Sequence, residues 1–369
     1  MINSIEIVNF KSFQKSSASL PSFGAVVGKN AVGKTNLIQA LLLVKSLVAG
    51  DSLPKAAAKM SLTQNELFNA SDVSSEFSIK INLSNGGKYI LDFSVELLSG
   101  NQSTVIRSEK LEKIIDGVQA PVYTRKQNSL TDAAGNPVPL AIDNERLATA
   151  LFNQEDAAGI RKIFSDVYIT KEYFEVSDSI GSVGSSEESL ASLLVWLNHK
   201  PELYKNFIDI SKKMIPSISA FKEVELKASG NPAEQQYLVL MQEHNLKRML
   251  SMKLLSAGDL RTLYLIGEAI KLNEHSSLII EEIENGIHPH RINELIDHLR
   301  KIATIKNMQI LFTTHSPLVI NRLPVHEVVL AEKNDKGTEL TLLSESAQAT
   351  SIQKMLERGG KMTDYINNL

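Results

Sequence analysis

Gly28-Lys29-Asn30-Ala31-Val32-Gly33-Lys34-Thr35 is a complete GxxxxGK[ST] motif, and the residues on either side decide how it must be read. Upstream, residues 24–27 form a short apolar run ending at glycine, and residues 2–10 alternate apolar and polar, so both predict strands. Downstream, apolar residues recur at helical spacing from Thr35 to Val48 and the pattern stops at Gly50. Strand, glycine-rich turn and helix together make a phosphate cradle, in which backbone N–H groups approach the anion and the helix N-terminus adds positive potential. Lys34 is placed to neutralise β- and γ-phosphate oxygens and Thr35 to supply a magnesium ligand. Gly28, Lys29, Asn30, Ala31, Val32, Gly33 and Asn36 complete the expected nucleotide contacts, so ATP and Mg2+ are the implied cofactors.

The last third of the chain supplies partners for that cradle. Residues 260–272 and 291–302 read as helices and residues 277–280 and 308–312 as apolar strands, an alternation that predicts parallel strands with helical crossovers. The first of these strands delivers Glu281 and Glu282 to its C-terminal end, where open α/β sheets place ligands. Glu281 is the candidate for hydrated magnesium and Glu282 for polarising the attacking water. The second strand runs into Thr313-Thr314-His315-Ser316-Pro317, and His315, 33 residues after Glu282, is the candidate γ-phosphate sensor. A fourth element, Leu255-Ser256-Ala257-Gly258-Asp259-Leu260-Arg261, opens a helix with a Ser-x-Gly turn whose N–H groups suit another phosphate, although such turns also serve as ordinary caps.

The middle is less informative. Strand-like patches at 77–83 and 89–97 flank Gly86-Gly87, and Gly135-Asn136-Pro137 marks a later turn. A glycine and serine stretch at 180–186 precedes helical patterns at 189–198 and 203–214. The expected organisation is an ATPase core at 1–60 and 251–345, an inserted β-rich lobe at 61–186, a helical lobe at 187–250 and a C-terminal tail at 346–369. No repeat of fixed period or sustained heptad pattern appears.

Composition narrows the function classes. A chain of 369 residues with 43% apolar content can bury a large core, so disorder is not expected. A net charge of -3 gives no global basic footprint, and Lys11, Lys15, Arg125 and Lys126 are scattered, so they read as solvated surface and any nucleic-acid contact must be local. The absence of cysteine excludes disulfides and thiolate metal sites and fits a reducing compartment. The N-terminus does not read as a secretory signal, and apolar clusters such as residues 41–44 are far too short for a membrane span, so a cytoplasmic protein without membrane contact is expected.

Taken in order, the opening Asn9-Phe10-Lys11-Ser12-Phe13, the P-loop, the Leu255-Ser256-Ala257-Gly258 turn, the Glu281-Glu282 strand and the Thr314-His315-Ser316-Pro317 strand resemble RecF/SMC/ABC-type ATPases. Residues 281–289, Glu-Glu-Ile-Glu-Asn-Gly-Ile-His-Pro, are similar to the Glu-Glu-Pro-Glu-Asn-Gly-Leu-His-Pro stretch of AAA-type ATPases of the OLD kind, many of which look like defence-system subunits. The resemblance covers roughly residues 1–50 and 250–320. It implies an α/β P-loop NTPase fold of the ABC/SMC-head type, and ATP sandwiched between the P-loop of one protomer and the signature turn of another. Ser256 and Gly258 would then act in trans, in a homodimer or higher oligomer. Glu281 stands where ABC proteins usually carry aspartate, and Ile283 replaces the usual proline, which bears on the speed of hydrolysis. Gln64 is a candidate for the glutamine loop of such proteins.

OLD proteins carry a C-terminal TOPRIM nuclease domain, whereas 52 residues follow Pro317 here, so a separate effector such as a nuclease or toxin is the expected partner. The leading expectation is the ATPase subunit of a bacterial defence complex. The alternative is a RecF-like repair factor that clamps DNA. A transporter's ATP-binding subunit fits the long insertion poorly, and a small-molecule kinase would leave the late Glu-Glu and His strands without a role.

Overall fold

Four short strands lie side by side and parallel, in the order Val328–Asn334, Phe23–Val27, Gln309–Thr314 and Ser277–Ile280; the last three are wholly buried and Val328–Asn334 is buried in its first half. Their continuous apolar runs are what a sheet covered on both faces requires. The computed structural model describes residues 1–71, 75–84, 87–98, 103–139, 143–170, 180–182, 189–227 and 236–366. The chain divides into two compact units, one comprising Met1–Ile169, His275–Glu281 and Gln309–Leu369, the other Thr170–Glu274 and Glu282–Met308.

In the first unit the parallel strands are the centre of a thirteen-stranded sheet. Antiparallel strands continue it through Gly337–Leu342, Phe13–Ser19, Ile2–Phe10, Glu76–Ser84, Lys88–Leu97, Thr104–Ile115, Val118–Lys126 and Ser129–Asp132, and Val167–Thr170 closes the opposite edge. Here the pattern changes to alternation. In Glu76–Ser84 the side chains of Phe77, Ile79, Ile81 and Leu83 are buried while Ser78, Lys80 and Asn82 are only partly so. The helix Lys34–Val48 buries Leu37, Leu41, Val44 and Val48 in the same core and packs against the helices Leu53–Lys59 and Glu155–Ser165. Gln309 fastens the N-terminus to the centre, its amide accepting from Ile2 N at 2.9 Å and donating to the carbonyls of Ile2 at 2.8 Å and Pro21 at 3.0 Å.

The structure adds detail to the expected segments. The β-rich segment extends the core sheet, because Ile2–Phe10 pairs antiparallel with Glu76–Ser84. It also contains the helices Ala148–Leu151 and Glu155–Ser165, which the sequence reading left out. The tail at 346–369 folds into Ala349–Glu357 and Met362–Ile366, docked where Thr363 donates to Asn321 Oδ1 at 3.0 Å. Gly86 and the stretch 183–186 lie outside the described residues.

The second unit contains the helices Leu190–Asn198, Pro201–Met214, Ala257–Lys271 and Pro289–Lys306. It is not helical throughout 187–250: Ile218–Lys227 and Gln236–Glu243 are antiparallel strands of a four-stranded sheet. Burial of Tyr237, Val239 and Met241 at every second position is the cause. Lys306 ends the helix Ala257–Lys271 by donating to the carbonyls of Ala269, Ile270 and Leu272, and burial holds its ammonium below the usual value. No helix among the described residues is long and apolar enough to cross a membrane.

Candidate nucleotide site

The turn 28–33 leaves the buried strand Phe23–Val27 and enters the helix that begins at Lys34. Ala31 has φ +63° and Gly33 φ +107°, and left-handed residues in such a turn direct successive N–H groups into a common concavity. At Gly33 a side chain is excluded outright, since a Cβ would stand 2.4 Å from Thr338 Oγ1 and 2.6 Å from Ser12 Oγ. Those hydroxyls brace the turn from behind. Thr338 Oγ1 donates to the Val32 carbonyl at 2.7 Å and is hydrogen-bonded to Ser12 Oγ, which accepts from Asn36 Nδ2 at 2.7 Å.

Lys34 is buried and folded back, its Nζ donating to the carbonyls of Gly28 at 2.8 Å and Lys29 at 2.9 Å. Lys29, Asn30, Ala31 and Thr35 around it are exposed. These residues fit ATP: a concave row of N–H groups, a buried ammonium that donates to the carbonyls at the start of the turn, and an exposed Thr35 one residue further on. An open cavity of about 360 Å³ adjoins the turn, between Lys29–Val32 and Leu330–Lys333.

The register of the parallel strands brings the other first-unit candidates to the same sheet end. Thr314 pairs with Val27, so His315 follows at the level where the P-loop begins. Ile280 pairs with Phe312, so Glu281 leaves from the C-terminal end of the strand beyond it. His315 is exposed and Glu281 half-buried.

In the second unit, Ser256 caps the helix Ala257–Lys271, accepting from Asp259 N at 3.1 Å and donating to Asp259 Oδ2 at 2.8 Å. Gly258 is buried beneath the loop that follows the acidic strand, and Glu282 begins that loop with φ +45°.

Known proteins are similar to this chain in sequence and fold. Residues 1–172 match the family described as "AAA ATPase domain", and residues 141–321 the one described as "AAA domain, putative AbiEii toxin, Type IV TA system". The Old nuclease of Escherichia phage P2 is 23% identical over 362 residues; the match covers 91% of this chain, which spans 60% of the length of that relative. An SMC head bound to the C-winged helix domain of ScpA superposes with a TM-score of 0.59 at 14% identity, over 92% of this chain and 97% of that one. An SMC head with an extended coiled coil, bound to the C-terminal domain of ScpA derived from Pyrococcus furiosus, gives 0.58 at 12% identity, over 97% and 98%. The fold is that of an SMC head.

Within this fold one sequence reading changes. Arg125 is fully buried, not solvated surface, because the segment 143–149 folds over it and its guanidinium donates to the carbonyls of Gln127, Asp143 and Arg146. The Gln64 side-chain carbonyl accepts from Thr104 N at 2.9 Å and Thr104 Oγ1 at 2.6 Å, a latch between a loop and a sheet strand. Ser12 and Arg261 lie inside motifs whose sequence pattern assigns them no role, and the only sequence signal for Thr338 is a β-prone position after Gly337.

Proposed function

We propose that this protein binds ATP with Mg2+ and hydrolyses it as a dimer, and that the ATP-driven closure controls a separate effector, a nuclease or toxin, in bacterial defence against phage. The braced P-loop with Lys34 parked on two carbonyls carries the reading. Phosphate oxygens hold an ammonium more strongly than the carbonyls of Gly28 and Lys29 do, which suits Lys34 to exchange these two contacts for phosphate when nucleotide arrives. Bound ATP supplies the γ-phosphoryl group that passes to water. Thr35 and Glu281 hold the hydrated magnesium, Glu282 orients and polarises the water, and His315 donates to the γ-phosphate. Ser256 and the N–H groups at Gly258 cap the nucleotide held by the other protomer.

Similarity to the phage Old nuclease, and to a family whose description includes a toxin, supports the defence setting. The cytoplasm is the expected compartment. The DNA-clamp alternative loses one of its four basic residues with the burial of Arg125.

The test is Glu282→Gln. It should bind ATP like the wild type, turn it over at least roughly 100-fold more slowly and double its mass by light scattering when ATP is added. A variant that stays monomeric with ATP bound refutes the sandwich. Capture of a nuclease or toxin-like protein by the ATP-loaded variant, and not by the nucleotide-free protein, supports the effector; capture of nucleic acid with repair proteins instead supports the clamp.

A further inference from the structure

Within the second unit, the signature helix and the loop after the acidic strand are joined at three places. A Cβ on Gly258 would lie 2.2 Å from the Gly286 carbonyl oxygen, so turn and loop are in direct backbone contact. Asp259, one residue further, forms an ion pair with Arg291 at the start of the helix Pro289–Lys306. Arg261, buried to 6% exposure, donates from Nη2 to the carbonyl oxygen of Glu282 at 2.9 Å.

That carbonyl also accepts from Asn285 N at 2.9 Å. Two donors on one oxygen fix the plane of the peptide that follows Glu282 and hence its ψ. The residue needs the constraint, since its φ of +45° is one that residues with side chains adopt rarely and keep only when their surroundings impose it. A charged donor is the stronger of the two. Arg261 therefore helps to set the direction in which the Glu282 side chain leaves the backbone.

We propose that Arg261 is a positioning residue for Glu282 that transmits the state of the Ser256–Gly258 turn to it. The proposal rests on the hydrolysis reading above. Arg261 sits about one helical turn beyond Gly258, whose carbonyl accepts from Thr262 Oγ1 at 2.7 Å, so the turn and the arginine belong to one short stretch of helix. In the closed dimer the turn meets the nucleotide of the other protomer while Glu282 serves its own. Arg261 thus makes turnover at each site depend on occupancy of the other.

The experiment measures ATP turnover against ATP concentration, and nucleotide affinity separately, for wild type, Arg261→Met and Arg261→Lys, each checked for folding by circular dichroism. Arg261→Met keeps the aliphatic stem and removes the donors. It should lower kcat about 10- to 100-fold, leave nucleotide Kd within about threefold and abolish a sigmoidal ATP dependence present in the wild type. Arg261→Lys should recover most of the lost kcat. Wild-type turnover in Arg261→Met, equal loss of binding and turnover, or an Arg261→Lys as slow as Arg261→Met would each overturn the positioning role. Should Arg261→Met fail to fold, Arg261→Gln takes its place with the same outcomes. Glu282→Gln run alongside separates the two levels: if it is slow while Arg261→Met is fast, only the arginine proposal falls, and if both are fast the hydrolysis reading falls and takes this one with it.

Discussion

Lys34 and Arg125 are both buried cations in the first unit, and both donate to backbone carbonyl oxygens. Around Arg125 the network closes on itself. Its guanidinium reaches three carbonyls and stands 3.9 Å from Glu109, both side chains being fully shielded from solvent. Glu109 in turn accepts from the Tyr123 hydroxyl, the Ala148 and Thr149 N–H groups and the Thr149 hydroxyl. Around Lys34 the chain instead ends in exposed residues, Lys29 to Ala31 on one side and Thr35 on the other. The same donor chemistry is structural where a buried carboxylate and folded backbone enclose it, and is set beside exposed residues where it borders the turn 28–33.

Parallel substitutions in the two clusters test this contrast. Lys34→Ala should cut ATP turnover at least roughly 100-fold while costing only about 1 kcal/mol of stability, the worth of ordinary hydrogen bonds. Turnover assays beside urea denaturation check both. Unchanged turnover would remove the central assignment. Arg125→Met should do the reverse. It leaves Glu109 buried without its cation and should cost about 3–5 kcal/mol, with nucleotide affinity per folded molecule unchanged. If Arg125→Met were as stable as the wild type and lost ATP binding, the two clusters would have to change places.

Thr338→Val tests the brace between the extremes. It keeps the volume and removes the donor to Val32, so a loss of about 1–3 kcal/mol is expected, with a few-fold weaker nucleotide affinity from a looser turn. A loss of stability with full affinity would show that the turn holds its shape without its brace.

What could be read from the chain alone follows the range of the interactions. The P-loop, the Glu281 strand and the His315 strand are each set by a few neighbouring residues: an apolar run, a glycine, a carboxylate or histidine at the strand end. Thr338 is invisible in the sequence because its contact with Ser12 spans 326 residues and arises where Gly337–Leu342 pairs with Phe13–Ser19 beside the turn that carries Ser12. Arg125 was read as surface because strand alternation says which residues share a face, not what will fold over that face. Elsewhere a local signal was present and unused. Ala157, Ile160, Ile163 and Phe164 have the spacing of a helix face, and Tyr237, Val239 and Met241 that of a strand.

The closed cluster should also betray itself in alkali. Burial first, and then the neighbouring Glu109 carboxylate, push the Tyr123 phenol well above its ordinary value of 10.0. An unfolded chain ionises this tyrosine near 10 while the folded one keeps it protonated, so its contribution is complete below that pH and is lost as pH rises beyond it. The loss should approach about 1.4 kcal/mol per pH unit. Tyr89, Tyr204, Tyr237 and Tyr365 are also shifted upward, so the measurement is a difference: urea unfolding of wild type and Tyr123→Phe at pH 8, 9, 10 and 11. The wild type should start ahead, because phenylalanine leaves Glu109 short of a donor, and its lead should shrink above pH 10. Parallel curves would mean that alkali opens the cluster to water before the rest of the sheet unfolds, and that the segment 143–149 is a looser cover than its hydrogen bonds imply.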